Sequence, residues 1–300
     1  MKVKSPVTNS FNTSLVTQFN VAAILQQYKT EMNVAVSHFF TGLQTIELHQ
    51  CNDTGYRFYQ PDGIWGDGKF YEDLQKNNDW YYSIARWEHK EALSLINTND
   101  KVLEIGCGDG AFLQMMQQKG IQNIEAIELN EKAAGIVGKA GFKIKIETIG
   151  AFAEKNKGQY DVVCSFQVLE HIYDVQSFLN ASLLALKSGG KMIIAVPNNN
   201  PYLYKNDINH TLNLPPHHAG LWNKGAFEKL EKFYPITLNH ISIRPMDDYR
   251  AWRIVQKGYH KKNNPVKGFF ISIIPSFIYS LYLSVFKQPG RDILVSFIKK

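Results

Sequence analysis

The order of apolar and polar residues between positions 101 and 243 predicts alternating strands and helices. Short apolar runs of strand length alternate there with stretches in which apolar residues recur at helical spacing. Such alternation specifies a parallel sheet with helices on both faces. The predicted strands are Lys101–Ile105, Ile124–Glu128, Lys143–Thr148, Asp161–Phe166, Met192–Val196 and Leu238–Ile243. The predicted helices are Ala111–Lys119, Glu131–Ala140, Val175–Ala185 and Ala226–Phe233.

The N-terminal third follows other patterns. Apolar residues from Leu15 to Leu43 recur at roughly helical spacing, which predicts one or two helices. Two short extended runs, Ile46–Cys51 and Tyr56–Tyr59, flank an Asn-Asp-Thr-Gly cluster and predict a β-hairpin. A loop rich in Gly and Asp follows, and after it aromatic helices are expected as far as about Ile96.

The C-terminal segment is apolar but interrupted. Residues Phe269 to Phe286 include Pro275 and four serines, and Gly290–Ile298 predicts a terminal strand. If that strand returns to the sheet, both ends of the apolar segment lie near one sheet edge, which argues against a membrane span. We therefore expect an N-terminal region of helices and a hairpin that covers the site (1–91), a Rossmann-like core (92–243), an apolar and basic helical insertion (244–289) and a terminal core strand (290–300).

Charge and cysteine content exclude some classes of function. The net charge is +6, but residues 244–300 hold eleven Lys and Arg against three Asp and Glu, which leaves the rest of the chain slightly acidic. A nucleic-acid partner is therefore not expected. The three cysteines lie far apart, which argues against a disulfide framework and a complete zinc site. Together with an N-terminus that lacks a signal-type apolar core, this predicts a cytoplasmic protein.

A glycine-rich run marks the candidate ligand site. The sequence Glu104-Ile-Gly-Cys-Gly-Asp-Gly110 follows an apolar strand and opens a predicted helix. Glycines there allow the backbone to turn sharply and to approach a ligand closely. A dinucleotide site would need a third glycine, which would fall on Leu113. Glu104 would repel a pyrophosphate and instead suits a cationic ligand.

This run resembles the first motif of the class I S-adenosylmethionine-dependent methyltransferases, an acidic residue followed by x-G-x-G-x-G. The resemblance implies a Rossmann-like α/β fold with a mostly parallel seven-stranded sheet, and S-adenosylmethionine as the cofactor, with S-adenosylhomocysteine as the product. In that family the loop cradles the methionine part of the cofactor. The matching residues in this chain are Glu104, Gly106, Cys107, Gly108 and Gly110.

The resemblance also assigns residues at the following strand ends. Glu128, at the end of the second core strand, would accept hydrogen bonds from both ribose hydroxyls, and Leu129 would lie against the adenine. The run from Tyr160 to His171 is similar to the fourth-strand motif and would place Gln167 beside the methionine portion. The Asp common in the family after the third strand is missing, so Phe152 is expected to pack on the adenine ring.

Aromatic residues before the core are further candidates for the cofactor site. The faces of aromatic rings attract a cationic sulfonium, so we expect Tyr71 and Tyr82 to close over the cofactor. The N-terminal third more loosely resembles bacterial sugar methyltransferases that begin with a zinc ribbon. Only Cys51 could remain of such a ribbon, so no zinc is predicted there.

Three histidines are candidates for the chemistry of the acceptor. Methyl transfer is an in-line displacement, in which the enzyme aligns the nucleophile and removes a proton from a hydroxyl acceptor. His171 begins the segment after the fourth core strand. His217 and His218 follow two prolines in the long loop after the fifth, and either is expected to be the base or a substrate ligand. No metal is predicted, because the pair with His210 lacks supporting carboxylates or cysteines.

The acceptor and the surroundings of the enzyme leave alternatives open. We expect O-methylation of a small molecule or a sugar-containing intermediate. The alternatives are a catalytically silent cofactor-binding scaffold at a membrane surface and, less favoured by the glycine pattern, a nicotinamide oxidoreductase. The apolar segment with its lysines, 257–287, is interpreted either as lid helices that pack on the core or on a second subunit in a homodimer, or as a peripheral membrane contact.

Overall fold

The computed structural model describes residues 3–78, 86–199, 209–246, 253–254, 256–258, 260–261, 264–286 and 289–300. The strands are β1 (Thr13–Asn20), β2 (Thr45–Cys51), β3 (Arg57–Gln60), β4 (Val102–Ile105), β5 (Ile124–Ile127), β6 (Lys143–Lys145), β7 (Tyr160–Phe166), β8 (Leu186–Pro197), β9 (Gly220–Leu221), β10 (Ile236–Pro245) and β11 (Pro289–Lys299). The α-helices are α1 (Val21–Gln27), α2 (Gly68–Asn77), α3 (Trp87–Ser94), α4 (Ala111–Gln118), α5 (Glu131–Lys139), α6 (Ile149–Lys155), α7 (Val175–Ala185), α8 (Lys224–Glu228), α9 (Pro265–Ile273) and α10 (Ser276–Val285).

The core is a seven-stranded sheet in the order β10-β11-β8-β7-β4-β5-β6. β4 pairs in parallel with β5 and with β7, and the next neighbours β6 and β8 continue the parallel arrangement. Only β11 runs antiparallel, between β8 and β10. The predicted α/β fold with a mostly parallel sheet is therefore confirmed, and the carboxyl ends of its parallel strands share one edge.

Side chains that alternate along the central strands build a core on each face of the sheet. Leu103 and Val163 belong to a core that includes residues of α6, α7 and α8. Val102 and Val162 belong to a second core with residues of α3, α4 and α5. The central strands β7 and β8 are therefore buried on both sides, which explains their long apolar runs.

The N-terminal region departs from its predicted helices. β1 replaces the first part of the helix expected from Leu15, and it pairs antiparallel with β2 from Thr13↔Cys51 to Asn20↔Thr45. The stretch is rich in β-branched residues, and pairing with the hairpin strand outweighs its weak helical spacing. The side chain of Asn20 then accepts a hydrogen bond from Ala23 N and caps α1. β1, β2, β3 and β9 form a separate four-stranded sheet.

The segment after the third core strand also differs from the prediction. Its strand ends at Lys145, and Thr148 caps α6 by accepting a hydrogen bond from Ala151 N at 3.3 Å. Phe152 lies on the inner face of α6 and is 3% exposed, with its ring centroid 6.0 Å from that of Tyr160. Because this ring is enclosed in the core, the expected stacking of Phe152 on adenine is wrong for this structure.

The insertion before β11 exposes an apolar face. In the described part of α9 and α10, Ile271 is buried, whereas ten large side chains remain 44–69% exposed. We call these ten the apolar face: Val266, Phe269, Phe270, Ile273, Phe277, Ile278, Leu281, Tyr282, Val285 and Phe286. Of the alternatives expected for this segment, packing on the core does not account for these ten side chains, and a second subunit or a membrane surface stays a prediction. Within the described ranges no single helix is long and apolar enough to span a membrane. The helices Pro265–Ile273 and Ser276–Tyr282 together have the length and composition of a span, but a bend of 98° separates them.

Candidate active site

The glycine loop, residues 106–110, connects β4 to α4 at the carboxyl edge of the sheet. Gly106, Gly108 and Gly110 all have positive φ values, of 71°, 55° and 84°. A Cβ on Gly106 would lie only 2.6 Å from Cγ2 of Val168, which follows β7. The loop therefore needs glycine both for its left-handed backbone and for its close contact with the turn after β7.

Glu104 lies beneath this loop with its carboxylate enclosed. The residue is 3% exposed, and its Oε2 is buried without a hydrogen-bond partner among the described residues. Burial, with smaller contributions from the nearby carboxylates of Glu128 and Asp109, raises the pKa of Glu104 to about 8. A buried, unsatisfied carboxyl group of this kind is costly unless a ligand supplies the missing partner.

The carboxylate of Glu128 joins the ends of two neighbouring strands. It follows β5 directly, and its Oε2 accepts a hydrogen bond from Gly108 N at 2.9 Å. Its Oε1 accepts another from Asn130 N at 2.8 Å. Each carboxylate oxygen has a further lone pair for a ligand hydroxyl. The next residue, Leu129, is 63% exposed and offers an apolar surface at the same edge.

Gln167 links the edge to a buried acid that no motif in the sequence indicates. Its φ of 56° is in the left-handed region, which is unusual for a non-glycine residue and is often associated with functional sites. Its Nε2 donates to Oε1 of Glu88 at 3.2 Å. Glu88 is 3% exposed, and burial raises the pKa of its carboxyl group. Glu88 lies on α3, outside every motif, and no signal in the sequence distinguishes it from a solvated helix glutamate.

The loop with His217 and His218 is held against the turn after β7. Ala219 N donates to the main-chain oxygen of Glu170 at 2.8 Å, while Tyr59 N donates to the main-chain oxygen of Ala219 at 3.1 Å. β9 continues this attachment by pairing with β3. The N-terminal sheet thus holds the histidine loop next to the turn after β7 that carries His171.

His171, His217 and His218 form one group, which we call the histidine cluster. Their ring centroids are 4.5–5.1 Å apart. Burial lowers the pKa of His171 to about 4 and holds the pKa values of His217 and His218 well below the usual range. All three imidazoles are therefore neutral near pH 7. Beside them Glu170 is 1% exposed, and burial raises its pKa to about 8.

Helix α2 contacts both the histidine cluster and the glycine-loop side of this edge. The hydroxyl of Tyr71 lies 3.1 Å from Nδ1 of His171 and donates to the main-chain oxygen of His217 at 3.4 Å. One residue later, Glu72 forms an ion pair with Lys132 at 2.6 Å, at the beginning of α5. Tyr71 therefore lies at the histidine cluster on a helix that extends to the glycine-loop side. Tyr82, the other aromatic candidate, lies outside the described residues.

The residues at this edge fit a cationic nucleoside ligand such as the cofactor that the glycine motif implies. Glu104 provides a buried carboxyl group whose Oε2 has no hydrogen-bond partner in the described part of the chain, Glu128 provides hydroxyl acceptors, and Leu129 provides an exposed apolar surface. The side chain of Cys107 is buried, and burial raises the pKa of its thiol, so this residue presents a loop backbone rather than a reactive thiolate.

Comparisons with known proteins concern the family of this chain. The family model described as "Methyltransferase domain" matches residues 79–248. Among curated proteins, a ubiquinone biosynthesis O-methyltransferase of Dechloromonas aromatica is 31% identical over 53% of this chain and 65% of its own length. A protein of the same name from Pseudomonas aeruginosa is 34% identical over 35% of this chain and 47% of its own length. The chain thus spans about half to two thirds of these relatives.

A solved structure supports the fold. The S-adenosylmethionine-dependent methyltransferase from Archaeoglobus fulgidus has 15% sequence identity, a TM-score of 0.52, and covers 78% of this chain and all of its own. At this identity the likeness concerns the fold alone. Since the family model matches more than half of the sequence and includes the glycine loop, the chain belongs to the methyltransferase-domain family of class I S-adenosylmethionine-dependent methyltransferases.

Proposed function

We propose that this protein methylates a hydroxyl group of a small-molecule acceptor held at the histidine cluster. The observation that carries the proposal is the contact between Gly106 and Val168, where a Cβ would come within 2.6 Å. It joins the glycine loop to the turn that ends in His171, so donor and acceptor residues share one continuous edge. The relatives named O-methyltransferases support oxygen as the nucleophile.

The proposal assigns the donor to the glycine-loop side. When bound, S-adenosylmethionine supplies a methyl group already activated on a sulfonium. Glu104 pairs with the cationic end of the donor, and Glu128 accepts hydrogen bonds from its ribose hydroxyls. The backbone of the glycine loop, including Cys107, holds the methionine part, Gln167 lies beside it, and Leu129 packs on the adenine.

The proposal assigns proton removal to the histidine cluster. His171 Nδ1 donates to the main-chain oxygen of His217 at 2.6 Å, and His217 Nδ1 donates to that of Leu212 at 2.8 Å. These hydrogen bonds fix the tautomer in which Nε2 carries the lone pair. A neutral imidazole in this form accepts the hydroxyl proton as the methyl group transfers. His217, His218 and His171 are the candidates for this base.

Isotope-labelled methyl transfer tests both assignments. The full-length protein is incubated with labelled S-adenosylmethionine and a panel of phenolic and sugar-containing hydroxyl compounds. On the acceptor found, His217→Ala, His218→Ala and His171→Ala are compared with His240→Ala, a control on β10 that pairs with Glu91 at 3.4 Å. Full activity in all three cluster variants would refute the base assignment. Absence of donor binding by calorimetry would refute the function itself.

A second proposal concerns the surface at which the enzyme works. We propose that the apolar face of α9 and α10 contacts an anionic membrane surface. Ten large apolar side chains of this one insertion are exposed, whereas soluble monomers rarely expose large apolar patches. Lys257, Lys261 and Lys267 are exposed near it and would meet anionic headgroups. The cytoplasmic location expected from the cysteine content remains a prediction.

Vesicle flotation distinguishes a membrane contact from a homodimer. Wild-type protein should float with phosphatidylglycerol vesicles, and the double variant Phe277→Ser/Leu281→Ser should not. Ile136→Ser on α5, which replaces a side chain that is 56% exposed elsewhere, is the matched control. Wild-type protein that stays unbound and is dimeric by light scattering, with the double variant monomeric, would refute the membrane proposal in favour of a subunit interface.

A further inference from the structure

Folding brings together three imidazoles that the sequence keeps apart. His171 lies 46 residues before His217 in the chain, and the Pro-Pro-His-His run by itself predicts no metal. In the structure one ring nitrogen from each of His171, His217 and His218 lies within 4.8 Å of the other two. Neutral imidazole is the commonest protein ligand of zinc and related ions.

The Nδ1 atoms of His171 and His217 are hydrogen-bonded in the way that is typical of metal-bound histidines. A histidine that binds a metal through one nitrogen almost always donates its other N–H to a carbonyl or carboxylate. His171 donates from Nδ1 to the main-chain oxygen of His217 at 2.6 Å. His217 donates from Nδ1 to the main-chain oxygen of Leu212 at 2.8 Å. Both hydrogen bonds orient the Nε2 side of the ring and increase its basicity as a ligand.

The third ring contains an unsatisfied nitrogen. His218 is 3% exposed, and its Nδ1 is buried without a hydrogen-bond partner in the part of the chain that the structure describes. A buried polar atom without a partner in a well-packed protein calls for a bound ion or water. This observation is independent of the spacing of the three rings, and it leaves the His218 ring with a buried nitrogen that calls for a partner.

We propose that His171, His217 and His218 bind a divalent transition-metal ion of the zinc type. Zinc–nitrogen bonds of 2.0–2.1 Å in tetrahedral geometry place the ligand nitrogens about 3.3 Å apart. Nitrogens within 4.8 Å of one another reach that spacing when each pair closes by at most about 1.5 Å. Three ligands leave a fourth position open, and a set of three nitrogens favours zinc over calcium or magnesium.

The inference goes beyond the proposed methyl transfer. A ring nitrogen that coordinates a metal cannot take a proton at the same time. The histidine cluster therefore acts as the proposed base only when no metal is bound. Binding of the metal is therefore measured without any acceptor. Donor affinity is measured separately, and the proposed function can fail while the metal site stands, or the reverse.

Metal titration of the full-length protein tests the site. Protein stripped with a chelator is titrated with Co²⁺, followed by visible absorption, and with Zn²⁺, followed by calorimetry. We expect one equivalent to bind with tetrahedral Co²⁺ bands. Because loss of a residue that only orients a ligand costs about 10–100-fold, each change of a cluster histidine to alanine should weaken binding by at least about 100-fold. The control His240→Ala should bind as wild type does.

A spectroscopic measurement on the wild type avoids dependence on variants that fold poorly. X-ray absorption of the zinc-loaded protein should show three nitrogen ligands at about 2.0–2.1 Å and no sulfur. Three results would overturn the proposal. They are the absence of stoichiometric binding, sulfur ligation from Cys51, Cys107 or Cys164, and undiminished binding in all three histidine variants. Retained affinity for S-adenosylmethionine in those variants confirms that they are folded.

Discussion

Replacing Glu104 by glutamine isolates the effect of one buried carboxyl group. In the free protein, burial raises the pKa of Glu104 to about 8, and Oε2 has no partner in the described residues. The folded state therefore retains a proton that the unfolded chain releases near its ordinary pKa of about 4.5. Stability should fall as the pH rises between these values, because there the folded state binds more protons than the unfolded state.

The size of the effect follows from the two pKa values. Each pKa unit corresponds to about 1.4 kcal/mol, so Glu104 should lower the free energy of unfolding by about 3 kcal/mol between pH 4.5 and 7 and by about 5 kcal/mol at pH 9. Glu104→Gln keeps the shape of the side chain and cannot ionise. The variant should therefore match the wild type near pH 5 and be more stable above pH 7.

Denaturant unfolding from pH 5 to 9 measures this difference. Glu170 is also buried, and its pKa is raised to about 8, so both proteins retain that contribution and only their difference reports Glu104. Glu154→Gln, at an exposed position on α6, serves as the control and should follow the wild type. Identical pH profiles for wild type and Glu104→Gln would refute the reasoning.

Donor binding provides a second measurement on the same residue. A cationic donor pairs with ionised Glu104, so binding at pH 7 should release close to one proton, about 0.9 for a pKa of about 8. Calorimetry in two buffers with different ionisation enthalpies measures that release. Glu104→Gln should bind more weakly and release none, and a release unchanged in the variant would contradict the assignment of Glu104 to the cationic end.

Three further predictions concern the remaining residues of the edge. Gly108→Val places a β-branched residue at a φ of 55° and should abolish donor binding in a thermal-shift assay, with unchanged binding as the contrary result. Glu128→Ala removes the acceptor of the Gly108 N–H and should weaken donor binding by more than about 1 kcal/mol in calorimetry. Tyr71→Phe removes the hydroxyl near His171. Because that hydroxyl lies at the histidine cluster, the variant should slow methyl transfer and leave the affinity for the donor within about twofold. An equal loss of methyl transfer and of donor affinity would assign Tyr71 to the donor side instead.

Local patterns were sufficient where several independent signals agreed. Val175–Ala185 has the same limits in the sequence prediction and in the structure, because Asp174 caps its beginning and its apolar spacing is regular. The helix predicted from Leu15 failed, because a strand partner far along the chain decided the outcome. Phe152 failed for a related reason, since its side of α6 faces the core. In both cases contacts distant in sequence overrode a local preference.

By itself the sequence determined that Glu104, the glycine loop and Glu128 share one edge, the proposed donor side, because they lie at consecutive strand ends and a parallel sheet places such ends together. The tertiary structure alone decided that the histidine cluster assembles beside this edge. Only pairing of β9 with β3 and contact with the turn after β7 bring His217 and His218 to His171. Burial then decided the protonation of these side chains, since desolvation depends on every neighbour in space and not on neighbours in the chain.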